Sequence, residues 1–235
     1  MCKISIITVV YNNKNTIEKT INSILSQTYK DFEYIIIDGK STDGTIEIIN
    51  KYIYKIKKII SEPDKGIYDA MNKGIKYCSG EWILFMNSGD ILKDNNTLQN
   101  IFSQNIPKNV NFIYSDFQVK NNKSIDTYKA SFKKGILLHQ SIIYKTKKHK
   151  EYGNYLVTSK YIVSDYIFFL QFKENEVFKT PYVISVNEEA GVSASNWCGY
   201  QKICCDYIFS RITIIQLIIK LIERVIKNTI KRAIK

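Results

Sequence analysis

The sequence lacks paired C-x-x-C spacing. Its five cysteines, Cys2, Cys78, Cys198, Cys204 and Cys205, are odd in number and suggest neither a disulfide framework nor a zinc site, which points to a reducing compartment. Gly-x-Gly-x-x-Gly and Gly-x-x-x-x-Gly-Lys-Ser/Thr are both absent, which argues against a dinucleotide enzyme or an ordinary phosphate-loop ATPase. Arg211, Lys220, Glu223 and Arg224 interrupt every stretch long enough to span a bilayer. Near the start, the apolar run within residues 1–13 is too short, and its flanks too polar, for a secretory signal, so a cytoplasmic chain is expected. There is no internal repeat. Acidic side chains are scarce, 22 Asp and Glu against 34 Lys and Arg, and the net charge of +12 suggests an anionic partner: phosphate, a membrane surface or nucleic acid.

What is present reads as alternating strands and helices. At 235 residues and 45% apolar composition, the chain can bury one core and carry a short appendage. Ile4–Val10, Phe32–Ile37, Lys57–Ile60 and Trp82–Met86 are apolar runs of strand length. Between them lie helical patterns: one opened by Asn15 with Glu18 and running to about Gln27, one over Ile46–Tyr52, one over Ile67–Ile75. The alternation predicts an α/β fold with a mostly parallel sheet flanked by helices. Tyr11, Asp38, Asp64 and Asp90 each follow a strand end, where open α/β sheets bind ligands, so these loops are expected to converge on one rim.

Further on, Asn95–Gln104 predicts a surface helix, Asn111–Val119 one strand, and the Lys-rich stretch from Val119 to Lys134 a loop or edge hairpin. Ser164–Phe172 predicts a helix with Asp165 in its first turn, Val177–Val186 a return strand, and Gly191–Ser195 a loop. From Ile203 the composition turns to isoleucine and leucine, with Thr213, Gln216, Lys220, Glu223, Lys227 and Lys231 as one narrow polar stripe. Residues 201–235 are therefore expected to form an amphipathic basic helical tail, with 203–235 lying on an anionic membrane surface or packing on protein.

Four motifs in the first half closely resemble family 2 glycosyltransferases: Ser5–Asn12, Asp38–Thr45, Ser61–Gly74 and Asn87-Ser88-Gly89-Asp90. His139-Gln140-Ser141, Asp165–Leu170 and Gly191-Val192-Ser193 resemble the family's acceptor half more loosely. The resemblance implies a Rossmann-like GT-A domain over 1–200, with a nucleotide-sugar-binding half (1–118) and an acceptor half (119–200). It further implies a nucleotide-sugar donor, Mn²⁺ or Mg²⁺, and inversion at the anomeric carbon.

By that resemblance Asp90 holds the metal, although Gly89 stands where the family usually carries a further acidic residue. Asp38, with Tyr11 close by, meets the donor base; Lys65 reaches donor phosphate, and Asp64 and Asn72 belong to the same donor set. Inversion needs a base for the acceptor hydroxyl, and Asp165 matches the aspartate of the family's acidic motif, with Ser164 before it and Gln171 where an arginine is familiar. His139 is a second catalytic candidate, or a hydrogen-bonded core histidine. The expected function is transfer of a sugar to a glycan, lipid-linked, in bacterial surface polysaccharide assembly at the inner membrane face. The alternative is a catalytically weak nucleotide-sugar-binding subunit, and a homodimer is compatible with either. Nucleic-acid binding ranks last, because the densest cationic run lies beyond Lys220 and not on the folded domain.

Overall fold

Seven consecutive buried residues, Ile4–Val10, form β1, and their alternation serves two cores at once. Ile4, Ile6 and Val10 face a cluster with Ile17, Ile21 and Ile24 of α1 (Ile17–Leu25). Ile7 and Val9 face the other side, against Ala70 and Met71 of α3 (Ile67–Ile75). The computed structural model describes residues 3–189 and 196–233.

β1 pairs in parallel with β2 (Phe32–Asp38) and β4 (Trp82–Phe85), and β2 with β3 (Lys58–Ser61). Helix α2 (Thr45–Asn50) connects β2 to β3, and α3 connects β3 to β4, as the periodicity predicts. α1 opens with Thr16 at its N-cap and not with Asn15. After β4 come β5 (Ile91–Leu92) and α4 (Thr97–Phe102).

The expected strand over Asn111–Val119 is two strands in two sheets. β6 (Phe112–Tyr114) belongs to the main sheet; β7 (Phe117–Lys120) forms a hairpin with β8 (Ile125–Tyr128) in a second, four-stranded sheet. The corner is at Ser115, whose Oγ accepts from Ile184 N at 3.0 Å and donates to Asp116 O at 2.6 Å. β9 (Ile142–Lys145) then runs antiparallel between β4 and β6. The expected return strand over Val177–Val186 also divides, into β10 (Val177–Lys179), which pairs with β6, and β11 (Ser185–Glu188), which pairs with β5 and β7. The main sheet thus has the order β10-β6-β9-β4-β1-β2-β3, mostly parallel.

Two short helices, α5 (Lys148–Tyr152) and α6 (Ser164–Phe169), precede two longer ones, α7 (Asn196–Ile208) and α8 (Ile214–Ala233). The expected division at residue 201 cuts through α7. Cys198 and Cys205 of α7 are buried with Val163, Tyr166 and Leu170, so this helix belongs to the domain and only α8 is appended to it. α8 is mounted by its polar side. Lys220 lies 3.9 Å from Asp206, and Asn228 donates to the Tyr200 hydroxyl at 3.1 Å. Arg224 lies over Gly199, where an added Cβ would come within 2.6 Å of Arg224 Nε. The isoleucines point outward: Ile214, Ile215, Ile218, Ile219, Ile222, Val225 and Ile226 are all half or more exposed. Among the described residues, no helix is long and apolar enough to cross a membrane.

Candidate active site

The loops after β1, β2, β3 and β4 do meet. Together with the turn at His139–Ser141, the start of α6, the end of β11 and one face of α7, they enclose a cleft of about 820 Å³. Tyr11, Asp64, Asp90, Asp165 and His139 all line it. The rim is tight at Gly39, where a side chain would start 2.9 Å from Asp64 Oδ2 and 3.2 Å from the Tyr11 ring. Tyr11 is two-thirds exposed and free to cover a planar ligand.

Asp38, Lys65 and Asn72 lie outside the cleft lining, and two of them, Asp38 and Asn72, have their polar atoms engaged elsewhere. Asp38 is fully buried and outside the cleft lining; its carboxylate accepts from Ser41 Oγ and Ser61 Oγ, both at 2.5 Å, and thereby ties the β2 and β3 loops together. This is the loop-organising role of a short acidic side chain. Lys65 is exposed, and its backbone N–H donates to Asp69 at 2.9 Å. Asn72 spends both amide atoms on the backbone of Tyr155, donating to its carbonyl at 2.8 Å and accepting from its N–H at 3.0 Å. Asp64 stays in the cleft, ion-paired to Lys73 at 2.7 Å.

Asp90 is 7% exposed and caught between two elements: Oδ2 accepts from Gln140 Nε2 at 2.8 Å, and Oδ1 from Glu188 N–H at 3.0 Å. Among the described residues no cation pairs with it, and burial pushes its carboxyl up to about 7, with the charge of Glu188 acting in the same direction. Beside it, Asn87 Oδ1 and Ser88 Oγ are buried without a hydrogen-bond partner. Buried oxygens without donors, next to a carboxylate without a countercharge, are what a hard divalent cation satisfies. Among the described residues, no three His, Cys, Asp or Glu side chains cluster as a ready metal site. A cation here would therefore rest on Asp90, Asn87 and substrate oxygens. Glu188, placed by β11, also lines the cleft, and its Cγ lies 3.6 Å from where a Gly89 side chain would begin. The sequence offered no signal for Glu188 beyond its place at a strand end.

Asp165, at the start of α6, accepts from the Tyr68 hydroxyl at 2.7 Å, and its Oδ2 lies 3.4 Å from His139 Nδ1. Burial opposes its ionisation, but His139, Lys202 and Tyr68 together hold the carboxyl down at about 2. Behind His139 a hydrogen-bonded line runs inward. His139 Nε2 lies 3.3 Å from the Tyr155 hydroxyl, Tyr155 is 2.7 Å from that of Tyr144, Tyr144 is 2.9 Å from His149 Nε2, and His149 Nδ1 donates to Gly153 O at 3.1 Å.

Both ends of this line, a carboxylate and a carbonyl, only accept. Burial pushes His149 down to about 4, so it enters the line as a neutral ring that gives its Nδ1–H to Gly153. His139 is thus neither only a core histidine nor isolated.

A main sheet with parallel β3-β2-β1-β4, a carboxylate after β4 and a second half that closes the cleft define a nucleotide-sugar-dependent glycosyltransferase of the GT-A fold. Solved structures share this fold: S. aureus TarS 1–349 in complex with UDP-GlcNAc has a TM-score of 0.73 at 19% identity, over 88% of this chain and 66% of that one. The mannosyltransferase PcManGT from Pyrobaculum calidifontis, in complex with GDP-Man and Mn²⁺, has a TM-score of 0.64 at 15% identity, over 86% of this chain and 61% of that one. The chain belongs to glycosyl transferase family 2, whose family model matches residues 5–170. An Escherichia coli relative, the UDP-Glc:alpha-D-GlcNAc-diphosphoundecaprenol beta-1,3-glucosyltransferase WfgD, is 32% identical over 214 residues, 90% of this chain and 79% of its own length. A Mycobacterium bovis PGL/p-HBAD biosynthesis glycosyltransferase is 29% identical over 204 residues, 80% of this chain and 78% of its own length. The Gly191-Val192-Ser193 motif lies outside the described residues.

Proposed function

We propose that this protein is an inverting, metal-assisted glycosyltransferase that moves a sugar from a nucleoside diphosphate to a glycan carried on a lipid diphosphate, in bacterial surface polysaccharide assembly on the inner face of the membrane. The observation that carries this is the one cleft that Tyr11, Asp64, Asp90, Asp165 and His139 line together. Tyr11 covers the donor base. Asp90 and Asn87 hold Mn²⁺ or Mg²⁺, which when bound neutralises charge on the departing diphosphate. Asp165 accepts the proton of the acceptor hydroxyl while that oxygen bonds to the anomeric carbon and the bond to phosphate breaks on the opposite face. Tyr68 fixes the carboxylate by its hydrogen bond to Oδ1, and His139 Nδ1 stands 3.4 Å from Oδ2.

The lipid part of the reading rests on α7 and α8. α7 lends Cys198 and Lys202 to the cleft wall and carries α8, whose outward isoleucines are a face for the bilayer, so the acceptor end of the cleft and the membrane-facing helix share one mount. The diphosphoundecaprenol acceptor of the E. coli relative fits this placement.

The test is incubation of the purified protein with Mn²⁺, a panel of UDP- and GDP-sugars and an N-acetylglucosaminyl diphospholipid, with product configuration read by NMR. Transfer with inversion is expected. Nucleotide binding without transfer from any donor would favour the binding-subunit reading, and no nucleotide binding would sink both.

A further inference from the structure

The cleft is acidic: Asp64, Asp90, Asp165, Glu188 and Glu189 line it, and Lys202 of α7 is the one lysine or arginine among its lining residues. Lys202 has no carboxylate within ion-pairing distance among the described residues; its Nζ stands over the Tyr166 ring, 5.1 Å from the centroid. The acid one turn further along α7, Asp206, is already taken, accepting from the Tyr166 hydroxyl at 2.6 Å and facing Arg211 at 3.7 Å and Lys220 at 3.9 Å. A cation held over an aromatic face and closed into no ion pair among the described residues, in a cleft that takes phosphorylated substrates, is open to an anion.

Its position decides which anion. Tyr11 and Asp64 meet at Gly39 in the loops after β1, β2 and β3, whereas Lys202 lies on α7 with Cys198, where its charge acts on Asp165. One turn further along α7, Asp206 faces Lys220 of α8, the helix with the outward isoleucines. From Asp165 through Lys202 to α8, the order is reacting hydroxyl, positive charge, apolar face. A lipid-linked acceptor has the matching order of sugar, diphosphate, lipid.

We propose that Lys202 binds the diphosphate of the lipid-linked acceptor, and so selects acceptors that carry an anion next to the sugar being extended. This rests on the transferase reading above.

The experiment uses the full chain and two acceptors with the same sugar and the same lipid: one joined through a diphosphate, the other through an uncharged ether. Lys202→Met is expected to lower kcat/KM for the diphosphate acceptor by about 10- to 100-fold, the loss of one charge-assisted contact. For the ether acceptor the loss is expected to be several-fold smaller, and the KM of the donor unchanged. Lys202→Arg should restore most of the preference. The ratio between acceptors cancels any effect of Lys202 on Asp165, which both acceptors feel alike. Equal losses on the two acceptors, a raised donor KM instead, or a wild type that uses both acceptors equally well would each overturn the assignment. A wild type that transfers to neither acceptor refutes the transferase reading itself, before any substitution is made.

Discussion

The outward face of α8 can be weighed. Ile218 and Ile222 sit one turn apart and are 52% and 54% exposed. Full burial of an isoleucine is worth about 1.5–3 kcal/mol, so inserting these two half-exposed side chains into a bilayer contributes about 2–3 kcal/mol. Ile218→Gln with Ile222→Gln removes that term while keeping helix propensity, and should lower partitioning onto vesicles by roughly 30- to 150-fold. Co-sedimentation with vesicles containing anionic phospholipid measures it, with urea unfolding of the same proteins as the control. Because both side chains face away from the domain, unfolding without vesicles should change by no more than about 0.5 kcal/mol. Unchanged sedimentation would refute the membrane role of this face. A clear loss of stability in solution would mean that it packs against protein.

Other outcomes follow from the acceptor end of the cleft. Asp165→Asn should reduce transfer by at least about 100-fold and leave nucleotide affinity intact, as judged by calorimetry beside steady-state rates; retained turnover would remove Asp165 as the base. Tyr68→Phe takes away one hydrogen bond to a carboxylate that is held below its usual value. The stability from that depression is fully present above the unfolded value of 3.8 and is lost as pH falls through about 2. The variant should therefore be less stable by about 1.5–3 kcal/mol at neutral pH and by less than half of that near pH 2.5; urea unfolding that gives equal losses at both would contradict it. Tyr144→Phe breaks the line between Tyr155 and His149 at a fully buried point. It should lower kcat by about 10-fold with donor KM unchanged, and an unaltered kcat would show that the line takes no part in the proton's path.

The parallel half of the fold is legible because β1, β2 and β4 are buried along nearly their whole length and each helix carries one stripe. β1 and α3 begin and end where the pattern predicts. The pattern fails where the chain changes sheet: only Ser115 and Asp116 separate Phe112–Tyr114 from Phe117–Lys120, too short a break to divide one strand from the next. In the site, Asp64, Asp90, Asp165, Tyr11 and His139 come together as expected, but Asp38 and Asn72 do not reach the cleft. Their motifs are real; the groups they hold are Ser41, Ser61 and the backbone of Tyr155. Lys202 could not be singled out, since one lysine in a chain rich in them gains meaning only from the acids and the ring around it. The polar stripe of α8 was visible, but not that the helix turns Lys220, Arg224 and Asn228 toward α7 and leaves Gln216, Glu223 and Lys227 exposed.

That inward turn has a further consequence. With Lys220, Arg224 and Asn228 all set against α7, the outward isoleucines of α8 and the Cys198–Lys202 wall of the cleft are carried by one helix, so a surface that met those isoleucines would lie on the α7 side of the cleft.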